Sequence, residues 1–132
     1  MRALGKVDDE RKRYELERAD VLCAPSLGGE SFGMVLLEAM AARTLVVASD
    51  IDGYRDAVGR DAVLVPPGDP AALAAVLASA LATPAPGAAR AARSALAARL
   101  DSASARAEHW SMARLAEAYE RVYRHVVVGT AP

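Results

Sequence analysis

A chain of 132 residues, 53 % hydrophobic and 25 % charged, is long enough for one domain with a buried core and too apolar to be disordered. Its net charge of −1 leaves no electrostatic footprint for nucleic acid, and its single cysteine, Cys23, rules out an intrachain disulfide. No signal peptide is readable and no apolar run approaches the roughly 18 residues of a membrane span, so the cytoplasm is the expected compartment.

Residues 8–19 predict a helix, with Asp8 or Asp9 as its cap and Tyr14 and Leu16 opening its apolar side. VLCAP, 21–25, predicts a short buried strand in which Cys23 packs as a small hydrophobe. A glycine-rich turn follows, then a helix over 31–42. TLVVAS, 44–49, reads as a second buried strand, β-branched and uninterrupted. Residues 50–59 read as a loop with one or two helical turns, and AVLVPP, 62–67, as a third strand. Asp69 caps the next helix and Pro70 takes its first position. TPAPG, 83–87, breaks the chain before a long Ala/Arg helix reaching about residue 106, whose Arg90, Arg93, Arg99 and Arg106 read as a solvated face, with contact to anionic lipid or phosphate as the alternative. Ser111 caps a final helix in which Leu115, Tyr119, Val122 and Val126 fall on one side.

Helices alternating with three short apolar strands specify an α/β fold with a parallel sheet. Three strands are few for such a sheet, so the pattern is that of a partial doubly wound, Rossmann-like unit. Residues 1–4 are a candidate strand remnant. The expected division is this partial Rossmann-like unit over 1–108 and a C-terminal helix and tail over 109–132.

In open α/β sheets ligands bind beyond the carboxyl ends of the strands, and the turn PSLGGES lies at such an end. Its glycines let backbone approach a ligand, and the N–H groups of a helix start there are available to an anion. Neither the G-x-G-x-x-G spacing nor a P-loop lysine is present. Glu30 stands at the mouth of the turn. Glu38 sits eight positions on in a helix that is apolar almost all round, where a carboxylate needs partners or the helix margin. Two helical turns, about 10 Å by rise, separate residues 31 and 38. The two glutamates could touch opposite ends of one nucleotide sugar; alternatively, Glu38 pairs with an arginine at the surface. Asp50 and Asp52 have no histidine near them in sequence, so no metal site is expected. His109 and His125 read as surface or packing residues, and Trp110 as a plug between the final helix and the body.

The stretch ADVLCAPSLGGESFGMVLLEAMAARTLVVASDIDGYRDAV resembles the donor-binding region of the retaining family-4 glycosyltransferases of the GT-B fold, and among them the actinobacterial phosphatidyl-myo-inositol mannosyltransferases. The resemblance rests on the E-x7-E pattern from Glu30 to Glu38 with ADV, AP, GESFG, LLEAMA and VVASD around it, and HWSMARLAEAYERVY is similar to the family's closing helix. It implies the later part of a GT-B C-terminal domain. Glu30 would contact the transferred sugar at the reacting centre, and Glu38 the ribose hydroxyls. Gly29 and the backbone N–H groups of Ser31, Phe32 and Gly33 would lie against sugar and diphosphate. The implied reaction is hexosyl transfer with retention, mannose from GDP-mannose to a phosphatidyl-inositol-type acceptor at the inner membrane face. No cofactor or metal is implied; the donor is a nucleotide sugar.

The same resemblance implies partners. A GT-B enzyme has an N-terminal domain that binds acceptor and closes over the donor, and basic residues for the diphosphate earlier in its C-terminal domain; these 132 residues carry neither. Transfer by this chain alone is therefore not expected, and peripheral membrane association would belong to a full-length enzyme. A non-catalytic half domain that forms a homodimer through its helices is the competing function. A response-regulator-like domain would need an acidic cluster and a switch lysine that are absent. Arg43 stands where the family usually has glycine and Leu45 where it has proline. Arginine at a left-handed position costs about 1 kcal/mol.

Overall fold

The computed structural model describes residues 3–85 and 87–129. Six helices and three strands alternate: α1 (Asp9–Arg18), β1 (Val21–Ala24), α2 (Met34–Ala41), β2 (Leu45–Ser49), α3 (Asp52–Val58), β3 (Val63–Val65), α4 (Pro70–Leu81), α5 (Ala89–His109) and α6 (Met112–Gly129). The strands form one parallel sheet in the order β1-β2-β3, with Cys23 beside Val47 and Val47 beside Val63. This is the expected partial Rossmann-like α/β architecture. Residues 3 and 4 are irregular rather than a strand, and residues 1 and 2 lie outside the described residues.

The caps read from the sequence are in place. The Asp8 carboxylate accepts from the Arg11 N–H at 2.8 Å, Asp69 from Ala72 at 2.9 Å, and the Ser111 hydroxyl from Arg114 at 3.4 Å. Each satisfies a helix-start donor that has no intrahelical partner.

The core lies on one face of the sheet. Leu36 and Met40 of α2 are fully sealed, packed with Val46 and Ala48 of β2, Tyr54, Ala57 and Val58 of α3, and Leu16 of α1. Ala103 and Ala107 bring α5 close to α2, since small side chains allow a short interaxial distance. The second face is covered less. Helix α4 packs against β3 with no fully buried residue, and β1 lies at the sheet edge. Cys23 points to this face and is exposed, so it does not pack as a core residue. A parallel strand is buried on both sides only where helices cover both faces; β2 meets that condition and β1 does not.

Three links fix the helices to the sheet. The Thr44 hydroxyl donates to the Leu16 carbonyl at 2.6 Å, tying the end of α1 to the start of β2. Helix α2 closes in a Schellman motif: Thr44 N–H bonds Ala39 O and Arg43 N–H bonds Met40 O. Arg43 is the left-handed residue, at φ +61°, and its guanidinium pairs with Asp101 of α5. The third link corrects the solvated-face reading of one arginine. Arg106 is turned inward, its Nε donating at 2.9 Å to the buried Asp61, which also accepts from the Ser102 hydroxyl at 2.6 Å. This cluster fastens α5 to the turn before β3.

Asp61→Ala should lower stability by about 2–3 kcal/mol, because it strands a half-buried guanidinium. Arg13→Ala, which removes an exposed pair with Glu17, should leave it nearly unchanged, because solvent screens such a pair. Urea unfolding of both variants measures the contrast, and equal losses would contradict it.

Candidate functional site

The glycine turn leaves the carboxyl end of β1 and runs over α3 before entering α2. Two contacts set its path. The Tyr54 hydroxyl, on the first turn of α3, lies 2.8 Å from the Ser26 hydroxyl at the start of the glycine turn. The edge of the same ring lies against Gly33 at its end: a Cβ on Gly33 would fall 2.6 Å from Tyr54 Cδ1. Between these points the backbone rests on Gly53, where a Cβ would meet the Glu30 carbonyl oxygen at 2.3 Å. The turn is thus held at both ends by Tyr54 and seated on Gly53, neither of which the sequence reading singled out.

Helix α2 starts later than the sequence suggested. Gly33, at φ +72°, is its N-cap, and Met34 is the first helical residue. Serine is the better cap by preference, but Gly33 reaches a left-handed conformation against the Tyr54 ring that a side chain could not. Ser31 and Phe32 therefore lie in the turn. Among the described residues, no protein acceptor takes the backbone N–H of Gly29, Glu30, Ser31, Phe32 or Gly33. Glu30 and Ser31 are exposed, while Phe32 is half-buried against the core.

Glu38, on the second turn of α2, is half-buried. Its Oε1 accepts from Lys12 Nζ of α1 at 2.8 Å, and the same ammonium lies 3.3 Å from Asp9 Oδ1. The surface partner is a lysine, not an arginine, and nothing local in sequence signals a pair 26 residues apart. Donating to the Glu38 and Asp9 carboxylates holds the Lys12 amine above its ordinary 10.5. Glu38 stands between two clefts. One, of about 530 Å³, lies between α1 and α2 and is lined by Asp9, Lys12, Leu16 and Ala42. The other, of about 470 Å³, lies between α2 and the α5–α6 junction and is lined by Met34, Ala41, Glu108, Trp110 and Met112. Glu30 belongs to neither cleft.

Asp50 and Asp52 are held by Arg55. Its Nε reaches Asp50 Oδ1 at 2.5 Å and its Nη1 reaches Asp52 at 2.6 Å, which keeps the Asp50 carboxyl below its ordinary value. Among the described residues no group of three metal-ligating side chains occurs, and no helix is long and apolar enough to cross a membrane. His109 is exposed and meets the Trp110 ring edge-on at 5.7 Å.

Residues 1–83 match the family model described as glycosyl transferases group 1. The chain is 57 % identical over 79 residues to a phosphatidyl-myo-inositol mannosyltransferase of Mycobacterium leprae, covering 58 % of this chain and 21 % of that protein. It is 54 % identical over 79 residues to a protein of the same name from Mycolicibacterium smegmatis, over 58 % of this chain and 20 % of the relative. Similarity extends to a glycogen synthase of Mycobacterium tuberculosis, 43 % identical over 86 residues, 64 % of this chain and 20 % of that one. The chain thus spans about a fifth of the length of the relatives it matches.

Glu38→Gln should bring the Lys12 amine back toward its ordinary value, which lies below the wild-type midpoint; NMR titration of the Lys12 side chain measures it. At neutral pH and up to pH 10.5 the pair's contribution to stability is present, and it is lost as pH rises through the raised midpoint. Gly53→Ala offers a second check. Helix propensity alone would make it stabilising by about 0.5–1 kcal/mol. The clash with the Glu30 carbonyl should reverse that sign and shift the backbone resonances of 28–33.

Proposed function

The chain belongs to the glycosyl transferases group 1 family, and from that premise we propose that it is the donor-binding part of a retaining glycosyltransferase that transfers mannose from GDP-mannose to a phosphatidyl-inositol-type acceptor. The observation that carries this reading is the turn at the carboxyl end of β1. It offers a run of unpaired N–H groups, followed one helical turn into α2 by a half-buried carboxylate beside an open cleft. The shared stretch also argues for the donor side. Relatives named for mannosyl transfer to phosphatidyl-myo-inositol and for glycogen synthesis differ in what they build, yet both match here.

In this reading the nucleoside lies over α1 and α2. The ribose hydroxyls donate to Glu38, and Lys12 and Asp9 stand beside it for the base. The diphosphate lies along the N–H groups of Gly29, Ser31, Phe32 and Gly33. When the sugar–phosphate bond breaks, negative charge grows on the departing phosphate oxygen, and preorganised N–H donors stabilise it without reorganising. The sugar centre becomes oxocarbenium-like, and the Glu30 carboxylate is suited to hold that positive charge. No metal is required by these steps.

Transfer requires a second wall to bind acceptor and exclude water. These 132 residues alone are therefore inactive, and an N-terminal GT-B domain is the natural companion. In the complete enzyme the site works at the inner face of the cell membrane as a peripheral protein. A second reading, a module that forms a homodimer, is favoured by one observation: Leu115, Tyr119 and Val122 of α6 are 42–59 % exposed on one side of the helix.

Calorimetry of the chain with GDP, UDP and ADP should give the tightest binding for GDP. Glu38→Ala should weaken it about 10- to 100-fold, the range for losing charged hydrogen bonds. Absence of any nucleotide binding, or indifference to Glu38→Ala, would defeat the donor assignment. Mannosyl transfer by the isolated chain would overturn its inactivity. Sedimentation equilibrium showing a dimer at micromolar concentration, with no nucleotide bound, would favour the second reading.

A further inference from the structure

Trp110 sits in the short turn between α5, which ends at His109, and α6, which begins at Met112. Its ring meets Phe32 edge-on, with centroids 4.9 Å apart and planes at 71°. That is the favourable geometry for an aromatic pair. Phe32 lies between Ser31 and Gly33, in the middle of the turn with unpaired N–H groups. Its other contacts are with the core cluster. The Phe32 side chain is therefore held between the core and Trp110. The same indole lines the cleft that Glu38 enters from the opposite wall.

We propose that Trp110 is a positioning residue for the anion-facing backbone of 31–33, acting through Phe32. The inference rests on the donor-site reading above and deepens it by assigning a specific part of that site, the diphosphate end, to a side chain about eighty positions away in sequence. The reason is geometric. The turn has no backbone hydrogen bonds of its own between Gly29 and Gly33 among the described residues. Its shape depends on side chains: Tyr54 at the ends, Gly53 beneath, and Phe32 as the one large side chain it sends inward. With Trp110 removed, Phe32 loses one wall and gains rotamers, and Ser31 and Phe32 lose their fixed N–H directions. A loop that must be ordered by its ligand binds that ligand more weakly. The nucleoside end should not notice, because Glu38, Lys12 and Asp9 are carried by α1 and α2.

The test compares full-length chain, Trp110→Ala and Trp110→Phe, with GDP and guanosine as separate probes. Trp110 is 37 % exposed, so the fold should survive both substitutions. Trp110→Ala should weaken GDP about three- to tenfold, the range for one aromatic pair. It should leave guanosine unchanged, and Trp110→Phe should restore most of the loss. Amide ¹⁵N relaxation without ligand should show 31–33 more mobile in Trp110→Ala only. Equal weakening of GDP and guanosine, or no change in loop relaxation, would overturn the proposal. Loop mobilisation with no binding of either probe by any variant would support the hold of Trp110 on the turn and sink the nucleotide reading instead.

Discussion

Everything at the candidate site hangs on the burial of α2. This helix packs against β1, β2, α1, α3 and α5, with Leu36, Ala39 and Met40 fully sealed. Its one charged residue is the half-buried Glu38, although Met34, Val35 and Ala41 are exposed. A carboxylate on such a helix must sit at its margin. There it meets α1 on one side and the α5–α6 junction on the other. The seating of α2 fixes where its first residue, Met34, must emerge, and so fixes the end of the glycine turn. Tyr54 completes the arrangement: one ring touches Gly33 and bonds Ser26, so the two ends of the turn are referred to a single buried side chain.

The Lys12–Glu38 pair adds little to this framework energetically. Both side chains are more than a third exposed, and solvent screening leaves such pairs little net stabilisation. Its weight lies elsewhere. It places a cation and a second carboxylate, Asp9, beside Glu38 without locking them in the core. A ligand hydroxyl can then share Glu38 with the ammonium, or displace it, at small cost. The inward cluster has the opposite character: Asp61 is buried and takes both the Ser102 hydroxyl and the Arg106 guanidinium, and none of the three lines the clefts around Glu38. The chain thus separates polar groups that hold the fold from polar groups left available.

The alternation of elements, the caps and the E-x7-E spacing were legible because each is local. Asp8, Asp69 and Ser111 cap helices through side chains three residues from their donors, a relation written in the chain itself. The misreadings all involve partners distant in sequence. Cys23 looked like a core residue because VLCAP is apolar, but burial of a strand is decided by what covers each face, and only β2 is covered on both. Helix α2 was expected to begin at residue 31, yet the ring of Tyr54 selects the left-handed Gly33 as its cap. Arg106 shared its composition with Arg90, Arg93 and Arg99, and only the fold brings Asp61 beneath it. Lys12, Gly53 and Tyr54 carried no motif at all.

The same distinction explains the last helix. The spacing of Leu115, Tyr119 and Val122 reads at once as an amphipathic helix, and a helix forms there. Amphipathicity says that a side wants covering but not by what. In the structure that side is not packed back on the sheet: Leu115, Tyr119 and Val122 remain exposed, and Tyr119 stacks on Tyr123 of the same helix at 6.3 Å. An 18-residue helix draws little stability from propensity alone, so its apolar side is the part of the molecule with most to gain from a partner. Through Trp110, the point where that helix leaves the body is also the point that touches Phe32. Whatever α6 packs against, its root lies against the glycine turn of the candidate site, so packing at the helix and order in the turn share one aromatic contact.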